Sequence, residues 1–356
     1  MPRIGLLTVH RASNFGAALQ TYATQQLLER ENPGSRVTVL DFVPPFMAIR
    51  APWWKPRKHA QRKCFLDFVS EHLHLSAVSS DRLMDCVPAD GLDAVVAGSD
   101  QIWNPGITKE HWRDYFLAGF PENCARYSFS SSFGVGLKET LCSPETAAEI
   151  TTLLKPFRRI TVRERSGVER CRQFGRADAI HTLDPVLTAG AELFLPLLPK
   201  TNSSAEPRIT ALILDETREH RQMLQTLRKE TGTPCQLIVV KQRLLPTPGI
   251  HRPFCTTVPE WLQAIHQAPM TISDSYHATL FAILFHRSFA VVPSRKNNRF
   301  ERLADILDLL GLQDRVVTAG DSAGLLALFK KPIDYERVDA ILEPLRKASL
   351  DALRLE

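Results

Sequence analysis

The stretch RIGLLTVHRASNFG at residues 3–16 decides the fold class of this chain. Its apolar beginning predicts a β-strand over 3–10, and the polar, glycine-containing residues 11–16 predict a loop. An apolar-periodic stretch predicts a helix over 17–28, and a second apolar run predicts a strand over 37–43. Strand, loop, helix and strand in this order form the βαβ beginning of an open parallel sheet.

The same alternation recurs in the rest of the first half. Strands are predicted at 93–97, 126–130 and 160–162, with a helix at 144–154. The strands end in loops rich in Gly, Ser, Asp and Asn. Ligands of α/β proteins bind where the carboxyl ends of strands open into such loops, so these loops are the candidate sites.

A proline-rich, polar segment separates this half from a second series of alternating elements. Strands are predicted at 209–214, 236–241, 270–273 and 289–292, and helices at 217–229, 259–266, 276–285, 299–310 and 335–355. We therefore expect an α/β protein with two doubly wound domains that face each other across a cleft. The expected organisation is an N-terminal domain at 1–190 with a basic insertion near 44–75, a linker at 191–207, a C-terminal domain at 208–330 and a helical tail at 331–356.

The positive charge of the chain is concentrated in one segment. The 356 residues have a formal net charge of +5, and no acid lies between Asp41 and Asp67. Six cations lie in that interval, and without them the net charge of the chain would fall by six, from +5 to −1. These six residues are Arg50, Lys55, Arg57, Lys58, Arg62 and Lys63. This distribution argues against a generally basic nucleic-acid binder, so no nucleic-acid partner is expected.

Composition and cysteine usage exclude several further classes. The chain is 44% hydrophobic and 23% charged, which excludes a disordered or fibrous protein. Its seven cysteines are scattered and form no CxxC, which argues against a disulfide framework or a structural zinc site. No run of about 18 apolar residues is present, and the first residues lack the features of a signal peptide. We expect a cytoplasmic protein without a metal site.

The common catalytic motifs are absent from the sequence. It contains no GxGxxG after the first strand and no GxxxxGK[ST], GxSxG or HExxH. Dehydrogenase, P-loop kinase, α/β-hydrolase and zinc-protease functions therefore lose their main support.

The sharpest candidate is SDSYHAT at 273–279, between a predicted strand and a predicted helix. Ser275 or one of its two predecessors can cap the helix, which places His277 in the first turn, beside free backbone N–H groups. Such a turn can hold a phosphate or carboxylate, with His277 as proton donor. The alternative is a capped helix whose histidine only packs under a loop, and the pattern favours neither.

The second candidate is Arg163, which directly follows a predicted strand. Its guanidinium can form two parallel hydrogen bonds with an anionic group in the cleft. The alternative, favoured by the residues alone, is an ion pair with Glu164 or Asp184. The dipeptide Asp184-Pro185 predicts a turn with a structural role.

Polar side chains in three more loops are candidates for sugar or anion binding. The loop at 98–105 offers Asp100, Gln101, Trp103 and Asn104, with the indole able to stack on a sugar ring; a hydrogen-bonded structural loop is the slightly favoured alternative. Asn14 lies in the opening loop. A basic turn near 295–299 either holds an anionic substrate or is solvated; its candidates are Lys296, Asn298 and Arg299.

Taken in order, these motifs resemble the polysaccharide pyruvyl transferase family. The resemblance spans roughly residues 3–315 and rests on HRASNFGAALQTYA at 10–23, GSDQIWNP at 98–105, SFSSSFG at 128–134, TVRERSG at 161–167, LDP at 183–185, ISDSYHATLFAILF at 272–285, NNRFERL at 297–303 and LGL at 310–312. Each motif alone is weak, and the ordered set is specific. The chain differs from the family in having Ala278 where a glycine is usual, and Tyr276 where a phenylalanine is usual.

The resemblance implies two Rossmann-like domains in a GT-B-like arrangement, with the active site in the interdomain cleft. It implies that phosphoenolpyruvate donates a pyruvyl group to two hydroxyls of a sugar, giving a cyclic ketal and phosphate without a further cofactor. His277 and Arg163 match the family's functional positions, and Arg163 would hold either the carboxylate or the phosphate. The expected donor-binding residues are Arg163, Ser275, His277 and Ala278; the expected acceptor-binding residues are Asn14, Asp100, Gln101, Trp103, Asn104, Lys296, Asn298 and Arg299.

Two other functions and one further partner are open at this point. The same cleft suits a GT-B-like glycosyltransferase with a nucleotide-sugar donor, or a non-catalytic glycan-binding protein. The acceptor is expected to be a glycan or a lipid-linked saccharide. Trp53 and Trp54 beside the cations of residues 50–63 are the composition of a segment that rests on anionic lipid headgroups. The alternatives for that segment are a solvated loop or one that binds an anionic sugar chain.

Overall fold

Two parallel β-sheets organise the chain. The structure, a computed structural model, describes residues 1–45, 47, 55–134, 143–200, 206–239, 247–293 and 300–356. Every strand pairing within the two sheets is parallel, and helices connect most of the successive strands. The predicted α/β fold with two doubly wound sheets is confirmed.

The first sheet has seven strands in the order β2-β1-β3-β4-β6-β7, with β5 also paired to β4. These strands are β1 Arg3–Leu7, β2 Arg36–Val39, β3 Ala94–Asp100, β4 Ala125–Ser131, β5 Phe157–Arg159, β6 Thr161–Val162 and β7 Ile180–His181. The second sheet has the order β10-β9-β8-β11-β12. Its strands are β8 Ile209–Leu212, β9 Cys235–Ile238, β10 Ile250–His251, β11 Thr271–Ser273 and β12 Phe289–Val291.

Helices cover both sheets. In the described residues, seven α-helices lie before the second sheet: α1 Phe15–Glu31, α2 Pro56–His72, α3 Pro105–Thr108, α4 Trp112–Tyr115, α5 Pro144–Leu154, α6 Arg165–Gln173 and α7 Pro185–Ala189. The described part of the chain from β8 onward has six more: α8 Arg218–Thr231, α9 Val258–His266, α10 Tyr276–Leu284, α11 Phe300–Leu309, α12 Ser322–Lys330 and α13 Tyr335–Asp351. Among the residues described here, no helix is both long and apolar enough to span a bilayer.

The core shows why both faces of each sheet need helices. Alternate residues of β3 point to opposite faces, so that Val96 packs in one apolar cluster and Val95 in another. The cluster of Val96 is continuous with the second sheet, where it includes Leu212 and Ile238. The two domains thus share one core, which fixes the cleft between them.

The C-terminal helix α13 returns to the first domain. The Ser349 hydroxyl accepts a hydrogen bond from the Leu183 backbone N–H at 2.9 Å, and the Arg346 guanidinium donates to the Leu187 carbonyl at 2.9 Å. The Tyr127 hydroxyl donates to the Glu356 carbonyl at 2.8 Å. The tail predicted to be helical is therefore part of the packing of the N-terminal domain.

Helix α2, within the predicted basic insertion, bridges the two domains. The Gln61 amide donates to the Thr256 carbonyl at 2.7 Å and accepts from the Thr256 N–H at 3.0 Å. Arg57 donates to the Phe254 carbonyl at 2.8 Å and also to the Val239 carbonyl. Arg57 therefore serves a domain contact, while Arg50, Trp53 and Trp54 lie outside the described residues.

The segment predicted as a linker is more structured than its composition indicates. Asp184 caps the short helix α7, and Pro185 takes its first position, where a missing N–H costs nothing. Phe194 and Leu197, inside the predicted 191–207 linker, are buried. Pro185, just before the predicted linker, and Pro196, within it, therefore belong to short helices rather than to an extended connection.

Candidate functional site

A cavity of about 440 Å³ opens between the two sheets, at the carboxyl ends of their strands. The loops after β1 and β3 line it from the first sheet, and the loops after β8 and β11 line it from the second. β1 and β3 are neighbours in the first sheet, and β8 and β11 are neighbours in the second. In each pair, the chain continues from one strand toward one edge of the sheet and from the other strand toward the opposite edge. Ligands of open α/β sheets bind at such points, so the cavity is the candidate active site.

One wall of the cavity is apolar. Phe15, the first residue of α1, stacks on Trp261 of α9 with ring centroids 5.1 Å apart and planes 12° from parallel. Leu212 and Ile238, at the ends of β8 and β9, extend this wall. Asn14 caps α1 beside it by accepting hydrogen bonds from the N–H groups of the two residues after Phe15, at 3.0 and 3.4 Å.

The opposite wall contains the N-terminus of helix α10. Asp274 accepts hydrogen bonds from the Leu214 and Asp215 N–H groups at 2.7 and 3.1 Å, which ties the turn to the end of β8. Ser275 is the N-cap residue, yet its hydroxyl makes no capping hydrogen bond. Among the residues that the structure describes, no side chain accepts a hydrogen bond from the first-turn N–H groups of α10, and this turn borders the cavity. Uncapped N–H groups and the helix dipole favour an anion here.

His277, in the first turn of α10, is held between Asp184 and Gly16. Its Nε2 lies 3.4 Å from Asp184 Oδ2 and is buried. On the other side, a Cβ atom placed on Gly16 would lie 2.1 Å from Nδ1. The contact requires glycine at position 16, because only a residue without a side chain lets α1 approach the imidazole this closely.

Asp184 joins His277 to Arg163. Its carboxylate accepts from the Arg163 Nη1 at 3.0 Å and from the Val186 N–H at 2.9 Å. Burial would raise the pKa of Asp184, but His277, Arg163 and the Val186 N–H lower it to about 2. Asp184 is therefore a carboxylate at neutral pH and can accept the Nε2–H of His277.

Arg163 is enclosed by carboxylates. Besides Asp184, it donates to Glu164 at 3.1 Å and lies 3.6 Å from Asp100. Burial would lower the pKa of Arg163, but these negative charges raise it above its ordinary value. The Arg163 side chain is 1% exposed and does not line the cavity.

Tyr276 and Arg302 separate Arg163 from the cavity. Both residues line the cavity, and both also border a void of about 10 Å³ beside Arg163. The Tyr276 ring centroid lies 4.8 Å from the Arg163 guanidinium carbon and 5.6 Å from that of Arg302. Burial, together with the positive charge of Arg163, lowers the pKa of Arg302. Of the lysines and arginines in the described part of the chain, Arg302 is the one that lines the cavity.

Asp100 connects this group to the first sheet. It ends β3 with φ of +69°, a conformation that residues with side chains rarely adopt. The turn aims its carboxylate at Arg163 and lets it accept from the Gln101 N–H at 2.9 Å. Burial opposes ionisation, but Arg163, His277 and Arg302 lower the pKa of Asp100.

The comparisons with known proteins identify the family. The model of the polysaccharide pyruvyl transferase family matches residues 14–295. The chain belongs to this family. A comparison with curated proteins found no match.

Solved structures similar to this family member show its fold. The glycotransferase of kitacinnamycin has a TM-score of 0.54 and 13% identity over 99% of this chain and 98% of its own. The UDP-GlcNAc 2-epimerase from Neisseria meningitidis, bound to UDP-GlcNAc, has a TM-score of 0.53 and 12% identity over 98% of this chain and 100% of its own. The UDP-GlcNAc 2-epimerase from Methanocaldococcus jannaschii has a TM-score of 0.54 and 8% identity over 94% and 93%. The predicted GT-B-like arrangement of two Rossmann-like domains is confirmed.

The structure brings some of the predicted site residues to the cavity. Asn14, Asp100, Gln101, Ser275 and His277 line it. The predicted residues Lys296, Asn298 and Arg299 lie outside the described residues. Within the described parts of the chain, no group of three or more His, Cys, Asp or Glu side chains is arranged to hold a metal ion.

Four predicted residues lie away from the cavity wall. Trp103 is fully buried: its indole N–H donates to the Tyr115 carbonyl at 2.9 Å and its ring stacks on Phe116 at 5.0 Å. This placement corrects the expectation that its ring faces a sugar, because both faces and the polar edge serve the core. Asn104 caps the short helix α3, and Ala278 is buried in the shared core. Arg163 is the fourth: its ion pairs with Glu164 and Asp184 confirm the alternative that the residues alone favour, and its enclosure argues against the direct donor contact that the resemblance implies.

The sequence motifs assign no binding or catalytic role to four residues of the site. Arg302 lies in the quoted NNRFERL motif, but nothing in that motif shows which arginine points inward. Asp184 lies in LDP, where an aspartate before proline indicates a helix N-cap as readily as a turn. Tyr276 precedes His277, and Gly16 is the last residue of the predicted loop, where the structure has the first turn of α1. Their roles depend on contacts between distant segments.

Proposed function

We propose that this member of the transferase family moves the pyruvyl group of phosphoenolpyruvate onto two hydroxyls of a sugar, forming a cyclic ketal and releasing phosphate. One observation carries the proposal: His277, paired with Asp184, lies in the uncapped first turn of α10, at the wall of the cleft cavity. This arrangement combines an anion-binding turn with a group that transfers protons.

The donor has two anionic groups, and its phosphate suits the α10 N-terminus. Several first-turn N–H groups point toward one position there, and the helix dipole favours a dianion. His277 belongs to the same turn. A phosphate bound by this turn would place the vinyl group of the donor beside the imidazole.

The proton that the reaction needs comes from His277 in this proposal. As an imidazolium, the ring donates Nε2–H to Asp184 and offers its second proton from Nδ1, the nitrogen that lies against the cavity-lining Gly16. Protonation of the methylene carbon makes it a methyl group, and a sugar hydroxyl oxygen bonds to the adjacent carbon. The second hydroxyl then displaces phosphate, and one hydroxyl proton restores the imidazolium while the other leaves with phosphate.

The acceptor would occupy the remaining cavity. The apolar surfaces of Phe15 and Trp261 suit the nonpolar face of a sugar ring. Asn14, Asp100 and Gln101 would hold hydroxyls, with the ionised Asp100 accepting hydrogen bonds. In this reaction the donor supplies its own leaving group, so the proposed chemistry uses no further cofactor.

The acceptor is proposed to be a glycan or a lipid-linked saccharide. Contact of residues 50–63 with an anionic membrane surface stays a prediction. Of the cations in this segment, Lys55 and Lys58 are exposed, whereas Arg57 is engaged in the domain contact. Co-sedimentation with anionic vesicles at low salt tests it. Weaker pelleting of a Lys55→Gln/Lys58→Gln variant supports membrane contact, and equal pelleting contradicts it.

Phosphate release from phosphoenolpyruvate with a panel of sugar acceptors tests the function. We expect release that depends on both substrates, that His277→Gln abolishes, and that His286→Gln, at an exposed histidine just after the same helix, leaves unchanged. Stabilisation by UDP- or GDP-sugars but not by phosphoenolpyruvate would indicate a glycosyltransferase instead. Sugar binding without turnover of any donor would indicate a glycan-binding protein.

A further inference from the structure

We propose that Arg302 binds the carboxylate of the donor. The sequence motifs assign no role to this arginine. The inference rests on the proposed function. It names the residue that recognises the second anionic group of the donor, and thereby what distinguishes phosphoenolpyruvate from a simple phosphate in this cavity.

Arg302 is a buried cation whose guanidinium faces the cavity. The residue is 9% exposed and lines the cavity wall. Among the described residues, the three carboxylates of this cluster ion-pair with Arg163, and none forms an ion pair with Arg302. A buried guanidinium without a carboxylate partner is costly, so its position is best explained by an anion that binds in the cavity.

The neighbours of Arg302 place it beside the phosphate-binding turn. Tyr276 is the first residue of α10, and its ring centroid lies 5.6 Å from the Arg302 guanidinium carbon. When the Gln101 amide is oriented with its oxygen toward the guanidinium, that oxygen lies 3.1 Å from both terminal nitrogens of Arg302 and accepts hydrogen bonds from them. These contacts orient Arg302 without neutralising it.

The two anion-binding groups suit the two ends of the donor differently. The N–H groups of α10 converge on one position, which matches a tetrahedral phosphate. A guanidinium presents two parallel N–H donors, which match the two oxygens of a planar carboxylate. Burial and the charge of Arg163 lower the pKa of Arg302 below its ordinary value, although Asp100 and Glu164 act in the opposite direction, and an anion bound in the cavity would oppose this shift further.

Binding of phosphoenolpyruvate and of inorganic phosphate to wild type, Arg302→Lys and Arg302→Gln tests this inference. We expect Arg302→Gln to weaken phosphoenolpyruvate binding by about 10- to 100-fold, the range for a charge-assisted bidentate contact, and phosphate binding by much less. Arg302→Lys keeps the positive charge but loses the two parallel N–H donors, so its affinity for phosphoenolpyruvate should lie between those of wild type and Arg302→Gln. Arg165→Gln, at an exposed arginine, is the matched control and should bind both ligands as wild type does.

The outcomes separate this inference from the proposed function. If wild type binds phosphoenolpyruvate and both Arg302 variants bind it equally well, the assignment of Arg302 is overturned while the function stands. Equal losses of phosphoenolpyruvate and phosphate affinity would also overturn it, because they indicate a general effect of charge or structure. If wild type binds no phosphoenolpyruvate, the proposed function and the inference fail together. Unfolding midpoints of all four proteins show whether each variant is folded.

Discussion

The contact between Gly16 and His277 leads to a sharp prediction for Gly16→Ala. The three atoms nearest to a Cβ at this position all belong to the His277 side chain, at 2.1, 2.3 and 2.6 Å. Restoring an ordinary separation of about 3.5 Å requires α1 and α10 to move apart, or the imidazole to leave its place, by more than about 1 Å. The substitution therefore acts on the proposed catalytic group from a neighbouring helix.

The magnitudes follow from this geometry. Overpacking costs about 1–3 kcal/mol, whereas alanine in place of glycine in a helix gains up to about 1 kcal/mol. Gly16→Ala should thus destabilise wild type but be neutral or stabilising when His277 is replaced by glycine. A displacement of about 1 Å in an active site lowers turnover on the order of 100-fold, so phosphate release should fall at least that far.

A double-mutant cycle measures the contact independently of any activity. Urea unfolding of wild type, Gly16→Ala, His277→Gly and the double variant should give a coupling free energy of about 2 kcal/mol, with the double variant more stable than the sum of the single changes predicts. Additive effects at the two positions, or a Gly16→Ala variant with wild-type stability and turnover, would refute the reasoning.

Three further predictions concern stability. Arg163→Ala leaves buried carboxylates without their cation and should cost about 3–5 kcal/mol, measured as the free energy of unfolding. The pKa of Asp184 is lowered from 3.8 to about 2 in the folded state. Its contribution of about 2 kcal/mol to the free energy of unfolding is therefore complete above about pH 4 and is lost as the pH falls toward 2. Asp184→Asn should flatten the pH dependence of stability between these two pH values. Gln61→Ala leaves the Thr256 backbone groups unpaired at the domain contact and should cost about 1–3 kcal/mol, whereas Lys63→Ala, on the exposed face of the same helix, should leave the midpoint unchanged.

Each of these three predictions has an outcome that contradicts it. Wild-type stability of Arg163→Ala would show that the carboxylates find other partners or take up protons at little cost. A pH dependence between 2 and 4 that Asp184→Asn does not alter would show that other carboxyls cause it. Equal midpoints for Gln61→Ala and Lys63→Ala would show that the hydrogen bonds to Thr256 contribute nothing to the domain contact.

Most elements of the fold could be predicted because apolar periodicity is a local property. The predicted helix at 144–154 coincides with α5 Pro144–Leu154, and the predicted strand at 270–273 is β11 Thr271–Ser273 with one residue fewer. The strand predicted over 3–10 ends at Leu7, and the apolar Val9 lies in the loop after it, where it borders the cavity. Helix α7 was not predicted, because the pair Asp184-Pro185 is typical of a turn as well as of a helix N-cap followed by proline at the first helical position.

The site could be predicted only in part, because side-chain direction depends on long-range packing. The sequence places His277 in the first turn of a helix, and that position is where the structure has it. It does not show that Arg163 is turned inward to three carboxylates, or that Arg302, on another helix, faces the cavity. Trp103 shows the same limit: a tryptophan in a polar loop suits sugar stacking, but here the surrounding aromatic rings bury it.

The measurement that tests the central claim most directly is the reaction of phosphoenolpyruvate with a sugar acceptor in D₂O, followed by mass spectrometry and NMR of the product. The account predicts phosphate together with a sugar that has gained one pyruvic acid less one water, and a ketal methyl group that carries one deuterium. His277→Gln should form neither product. A protein that releases no phosphate with any acceptor while it consumes a nucleotide-sugar would contradict the account.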